Sequence, residues 1–128
     1  MIRVILHGCN GRMGKVLTSL IASRNDMIVC AGVDLDTRSE DFPVYASLDR
    51  CREEADVLIL ESSFPNDQEV EGHLTPFLAG RIATLAKVPR LVLLHFYPEV
   101  LKTDIASQCR KSFTGELILA RDLLSLKV

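Results

Sequence analysis

The sequence predicts an α/β fold, a three-layer Rossmann-like sandwich around a mostly parallel sheet. Three observations predict it. β-prone apolar runs recur at residues 2–6, 27–34, 56–61 and 91–94. The segments between several of them repeat their apolar residues at helical spacing. Strands separated by helices at this interval form βαβ units, whose crossovers are right-handed almost without exception.

The elements follow in order. Residues 2–6 form a first strand that Gly8 stops. Met13, Val16, Leu17, Leu20 and Ile21 fall on one helical face, expected to pack inward, and Asn25-Asp26 ends that helix. Residues 27–34 read as a second buried strand, 35–47 as polar and irregular, and 48–53 as a short helix with Glu53-Glu54 at its solvated end. Residues 56–61 form the third strand, and 62–74 a polar loop. Thr75-Pro76 starts a helix, with a hydroxyl cap and proline at the first helical position. Its apolar face is Leu78, Ala79, Ile82, Ala83 and Ala86, and Val88-Pro89 closes it. Residues 91–94 give a fourth strand. Pro98 opens another helix with Leu101, Ile105, Ala106 and Cys109 inward. Residues 116–120 and 123–128 read as two strands about a tight turn at Arg121-Asp122. The expected arrangement is a single domain over 1–128, strand order 2-1-3-4-5, with room for an antiparallel sixth strand.

A chain of 128 residues is long enough to bury a core without disulfide or metal staples. It is 48% hydrophobic and 25% charged, with mean hydropathy +0.19, which argues against disorder. Net charge is −2 with no long basic run, so no nucleic-acid footprint is expected. No run approaches the roughly 20 apolar residues of a membrane span, and the first residues lack a signal-peptide pattern. The cysteines at 9, 30, 51 and 109 share no metal-knuckle spacing; they read as reduced thiols of a cytoplasmic protein.

Chemistry concentrates in Gly8-Cys9-Asn10-Gly11-Arg12-Met13-Gly14, between the first strand and first helix. Glycine here lets the chain turn sharply, lets backbone approach a pyrophosphate, and lets helix and strand pack closely. The helix N-terminus then offers N–H groups and partial positive charge to phosphates. Asp34, twenty residues after Gly14 at the end of the second strand, is placed to accept ribose hydroxyls. The spacing is GxxGxxG rather than the commoner GxGxxG, and its strand–turn–helix context makes it a dinucleotide-type loop. In the expected order the loop and Ser62-Ser63 flank one crevice, where Ser63 would donate to a ribose or phosphate oxygen. Glu61 would bring an opposing carboxylate there.

Other candidates are weaker. Cys9 lies near a helix N-terminus, which can lower a thiol pKa, although a small loop residue is the plainer reading. Ser62 and Ser63 lack a Gly-x-Ser-x-Gly elbow. His7 reads as structural. His73, His95 and Glu61 fall short of the converging ligand set a zinc site needs, their mutual distances being unknown from sequence, so no metal is expected.

The first sixty residues resemble the N-terminal part of dihydrodipicolinate reductase. The carrying residues are the loop Gly8 to Gly14, Gly32-Val33-Asp34, Phe42-Pro43-Val44-Tyr45 and Ala55-Asp56-Val57-Leu58-Ile59. The resemblance implies NAD(P) binding, with Gly8, Gly11, Arg12, Met13 and Gly14 lining the pyrophosphate and Asp34 at the adenosine ribose. It also puts Arg38 within approach of a 2′-phosphate. That family continues with Asp-Phe-Ser or Asp-Phe-Thr, where this chain has Glu61-Ser62-Ser63-Phe64, and none of its catalytic residues carries over.

Residues 56–128 resemble the C-terminal end of a metallo-β-lactamase-fold hydrolase of the ribonuclease Z-like branch. The carrying residues include Glu61-Ser62-Ser63-Phe64, Gly72-His73-Leu74-Thr75-Pro76, His95-Phe96-Tyr97-Pro98 and Gly115-Glu116-Leu117-Ile118-Leu119. The resemblance makes His95 the counterpart of that family's last metal-ligand histidine, and Glu61 and His73 an acid–histidine pair. The family's His-x-His-x-Asp-His motif has no counterpart. The two resemblances overlap on residues 55–59, an acid-then-aliphatic strand. The expectation is therefore an engineered or selected chimera with no catalytic activity, weak nucleotide affinity and a tendency to form homo-oligomers. The alternatives are a reductase fragment, a metal-dependent hydrolase remnant, or a chain that binds nothing.

Overall fold

The computed structural model describes residues 1–51 and 54–128; Glu53, placed in the expected short helix, lies outside the described residues. The chain divides into two compact units, Met1–Asp56 and Val57–Val128. The division falls inside the run shared by the two resemblances.

In the first unit, β1 (Ile2–His7) and β2 (Met27–Val33) pair in parallel across α1 (Arg12–Ala22). A two-residue strand, β3 (Val44–Tyr45), adds to the other edge of β2. It falls in the stretch expected to be irregular, because two residues beside Pro43 carry no period. A 3-10 turn at Leu48–Arg50 stands where the short helix was expected. The core gathers Leu6, Cys9 and Ile21, with Val4, Met27, Val29, Phe42 and Val44 packed on it.

The rotation of α1 differs from expectation. Of the predicted inward face only Ile21 is buried; Met13, Val16, Leu17 and Leu20 are exposed. The cause lies at Gly14, packed so close to the turn that a Cβ there would collide with the carbonyls of Gly8 and Cys9. That contact turns the Gly14, Thr18 and Ile21 side of the helix inward and leaves the apolar stripe outside.

Asp56 is clasped to β1. Arg3 donates its backbone N–H to Asp56 Oδ2 at 2.8 Å and its guanidinium to Oδ1 at 2.8 Å, and Glu54 adds a contact at 3.3 Å. The Arg3 guanidinium, then its backbone N–H, hold the Asp56 carboxyl down at about 2. A depressed carboxyl stabilises the fold above its unfolded value, about 3.9, and loses that contribution as pH falls through the folded value. Asp56→Asn should therefore melt below the wild type at neutral pH, with the gap closing between about pH 4 and pH 2. Thermal melts across that range check it.

In the second unit β5 (Arg90–Leu94) is central, flanked in parallel by β4 (Leu58–Glu61) and β6 (Glu116–Leu119). The α/β class with parallel strands thus holds. Of the expected order 2-1-3-4-5, the neighbours 2-1 and 3-4-5 are found, within two three-stranded sheets of which the first also takes the short β3. Both outward backbone groups of Arg3 go to Asp56, whose side chain takes the N–H that a continuing ladder would use. β6 is the fifth of the expected strands, parallel as expected; the antiparallel sixth expected over 123–128 does not form. The turn near residue 122 is present, with Leu124 N–H donating to Arg121 O, but 123–128 is not a strand; Arg90 holds that tail through the Lys127 carbonyl at 2.7 Å.

Helix α2 (Pro76–Leu85) starts as predicted: Thr75 Oγ1 accepts from Leu78 N–H at 3.3 Å, and Pro76 is the first helical residue. Its tightest buried side is Ala79, Gly80 and Ala83. The single helix expected after Pro98 is two, α3 (Pro98–Leu101) and α4 (Ile105–Arg110). Asp104 breaks the run by capping α4, accepting from Ser107 N–H at 2.9 Å. Leu101 is consequently exposed, while Val100, Ile105 and Cys109 are buried. Among the described residues no disulfide forms, and no helix is long and apolar enough to cross a membrane.

Candidate functional site

The glycine loop is built by three backbone constraints. Gly8 sits at φ +74°, a left-handed conformation that lets β1 turn out of the sheet. Gly8 N–H donates to Val33 O at 2.7 Å and its carbonyl accepts from Gly11 at 3.1 Å, so the loop is tied to the end of β2. Gly14 closes the turn against the Gly8 and Cys9 carbonyls. Gly11 then serves as N-cap of α1 with no side-chain cap and no acid in the first turn. The N–H groups of Arg12, Met13 and Gly14 have no carbonyl partner within the helix, and the dipole favours an anion in front of them.

Asp34 is brought beside this loop. Its carboxylate accepts from Asn10 N–H at 2.9 Å and from Asp36 N–H at 3.2 Å, and two oxygens retain acceptor capacity beyond those bonds. Asn10, an unassigned spacer in the sequence reading, is what joins the two halves. Its side-chain amide donates to Asp36 O and to Arg38 O at 2.6 and 3.0 Å. Its signal in sequence was only that asparagine suits turns. Arg38 comes near through its backbone, while its guanidinium pairs with Asp36 at 2.7 Å. Cys9 is not activated: burial, then the Asp34 charge, raise its thiol pKa, and the side chain is packed against Gly32. His7 ends β1 exposed.

The second unit carries a polar cluster at the end of β4. Glu61 accepts from the Ser63 hydroxyl, from Ser63 N–H at 3.1 Å and from Leu74 N–H at 2.5 Å. His73 Nδ1 faces Glu61 Oε1 at 3.5 Å, and His95 Nδ1 lies 3.0 Å from Ser63 Oγ. Phe64 packs edge-on against His73, and Tyr97 lies tilted beside both imidazoles. Glu61, His73 and His95 each present a ligand atom, all within 4.8 Å of one another. Sequence analysis named all three, but the distances that join them were not legible there. Ser63 is buried with its hydroxyl committed to Glu61 and His95, and the neighbouring Ser62 Oγ is buried without a hydrogen-bond partner.

A strand, a glycine turn with a bare helix N-terminus and an acid ending the next strand define the first unit as a Rossmann-like βαβ element. Residues 2–75 match the family described as "Dihydrodipicolinate reductase, N-terminus", and the chain belongs to that family. The match runs past residue 60, where the sequence resemblance was expected to stop. The 4-hydroxy-tetrahydrodipicolinate reductase of Caldanaerobacter subterraneus subsp. tengcongensis is 54% identical over 59 residues, covering 46% of this chain and 24% of the relative. The later part is similar to other proteins. Ribonuclease Z of Salinispora arenicola is 39% identical over 83 residues, 59% of this chain and 26% of that protein. The solved metallo-beta-lactamase fold protein YhfI of Bacillus subtilis aligns with TM-score 0.50 and 34% identity, over 54% of this chain and 30% of that one. The chain spans about a quarter of the length of the curated relatives it matches. Its two parts thus resemble two different folds.

Proposed function

We propose that the chain is a composite, engineered or selected, that binds an NAD(P)-type dinucleotide weakly through its first unit and turns nothing over. The observation that carries this reading is the loop: Gly8, Gly11 and Gly14 leave three N–H groups bare at the start of α1 while Asn10 pins Asp34 beside them. The Arg12, Met13 and Gly14 amides would take the pyrophosphate, and Asp34 would accept the adenosine ribose hydroxyls. Arg38 is already paired with Asp36, so engaging a 2′-phosphate requires that pair to open. Hydride transfer needs an oriented acceptor and a proton donor, and among the described residues the first unit presents neither at the loop.

Gly11 provides the test. Its φ is −72°, and an added Cβ would meet only Gly8 O at 3.3 Å, so Gly11→Val should fold while filling the space before the helix. Titrating NADH and NADPH by thermal shift and nicotinamide emission should show binding by the wild type and at least tenfold weaker binding by Gly11→Val, about 1.4 kcal/mol. Equal affinities, or no response up to millimolar cofactor, would remove the reading.

Self-association is part of the same proposal. The Met13, Val16, Leu17 and Leu20 stripe is exposed on α1, and covering such a patch with a second copy removes it from water. Sedimentation velocity should show a dimer or larger assembly; a monomer would contradict it.

A further inference from the structure

On the reading that a dinucleotide seats on the glycine loop, we propose that Asp36 sets which one, holding the Arg38 guanidinium as its own counter-ion so that NADH is bound in preference to NADPH. The two coenzymes differ only by a phosphate on the 2′ oxygen of the adenosine ribose, where Asp34 would accept the hydroxyls. Firm binding of that phosphate needs a cation within reach, most often an arginine. The residues after Asp34 leave Arg38 as the candidate. Leu35, directly next, is apolar and almost fully exposed, Asp36 is a second acid, and Thr37 is neutral.

Arg38 is already engaged. Its Nε donates to Asp36 Oδ1 at 2.8 Å and its Nη2 to Asp36 Oδ2 at 2.7 Å, and its backbone N–H donates to the same Oδ1 at 3.2 Å. The guanidinium, then that N–H, hold the Asp36 carboxyl down at about 2, so both partners are charged at neutral pH. The Arg38 side chain is 89% exposed, and an exposed pair by itself is a weak hold. The backbone reinforces it. Asn10 donates its side-chain amide to the carbonyls of Asp36 and Arg38, at 2.6 and 3.0 Å, which sets the turn that brings the two side chains together. Asp36 N–H in turn donates to the Asp34 carboxylate at 3.2 Å. A 2′-phosphate can take the guanidinium only in competition with a carboxylate two residues away on the same turn. Opening the pair would leave Asp34 and Asp36 bare toward a group that is itself close to doubly negative at pH 7. Of the groups acting on Asp36, the Lys15 ammonium on α1 acts least, so it does not replace Arg38. NADH requires no such opening: Asp34 keeps acceptor capacity for the ribose hydroxyls with the Asp36–Arg38 pair closed. The pyrophosphate contacts are common to both coenzymes, so NADPH still reaches the loop, at higher concentration.

The test is titration of the full chain with NADH and with NADPH, wild type against Asp36→Asn, Asp36→Ala and Arg38→Gln, each checked for folding by circular dichroism. Asparagine keeps an acceptor for the Arg38 N–H while removing the charge that holds the guanidinium. Wild type should bind NADH about tenfold tighter than NADPH, or more. Asp36→Asn should tighten NADPH by about fivefold or more and change NADH by less than about twofold, with Asp36→Ala moving the same way. Arg38→Gln should leave NADH binding as it is. Adding Asp36→Asn to Arg38→Gln should gain less NADPH affinity than Asp36→Asn gains alone, because no guanidinium is released. Equal binding of the two coenzymes by wild type, or an Asp36→Asn variant that changes NADH and NADPH alike, would overturn the proposal and leave the glycine-loop reading standing. No response to either coenzyme would remove that reading, and the preference with it.

Discussion

Replacing Gly14 with alanine is expected to cost the protein about 3 kcal/mol or more, and to remove dinucleotide binding with it. The added Cβ would fall within van der Waals radii of the Gly8 carbonyl, and 2.5 and 2.6 Å from the carbonyl oxygen and carbon of Cys9. All of these are backbone atoms of the turn, so no side chain can swing aside. Relief would require α1 to move away from β1, shifting the Arg12, Met13 and Gly14 amides and uncovering Leu6, Cys9 and Ile21. The better helix propensity of alanine returns only about 1 kcal/mol. A loss of this size lowers a melting temperature by on the order of 15 °C in a small unit. Thermal melts by circular dichroism measure it; melting within about 3 °C of wild type would show that Gly14 is not what sets the helix against the turn.

Gly80→Val should be strongly damaging in the second unit. Gly80 lies where α2 meets α4, and a Cβ there would collide with Ser112 Oγ and stand 2.9 Å from the Cys109 carbonyl and 3.1 Å from its sulfur. Ser112 cannot swing away freely, because its hydroxyl donates to Phe77 O at 2.7 Å. Cys109 is wholly buried. Valine adds two methyls to that contact, with a loss of about 3 kcal/mol expected, while alanine should lose about half as much because its helix propensity offsets part of the clash. Urea titrations of both variants give the ordering; a valine variant as stable as the alanine one would contradict the close helix approach.

The sequence reading was most informative where a local rule has a single physical cause. Strands β1, β2, β4 and β5 appear as apolar runs because both faces of a parallel strand tend to be covered. Thr75-Pro76 starts α2 because a hydroxyl cap and a proline both fit a helix start. The glycine turn was legible because each glycine has its own steric reason. What failed needed tertiary information. Periodicity gives a helix an apolar face without saying how it rotates, and for α1 the contact of Gly14 decided the rotation against the apolar stripe. The Pro98 segment looked continuous until the Asp104 cap was weighed. Strand β3 is too short to carry a period. The neighbours 2-1 and 3-4-5 of the expected strand order were legible; the missing pairing of the first and third expected strands was not, since the Arg3–Asp56 clasp that occupies the edge of β1 is a contact between residues far apart in sequence. At the sites, Glu61, His73 and His95 were visible by type but their convergence was not, and Asn10 gave no sign of bridging Asp36 and Arg38.

Dinucleotide binding rests on the bare amides at the start of α1. The most direct measurement is the 1H–15N spectrum of the labelled full chain during titration with NADPH. Saturable, progressive shifts are expected of the Gly11, Arg12, Met13 and Gly14 amides together with Asn10 and Asp34, absent in Gly11→Val. Loop amides that stay in place while NADPH reaches millimolar concentration, or shifts confined to other residues, would contradict it.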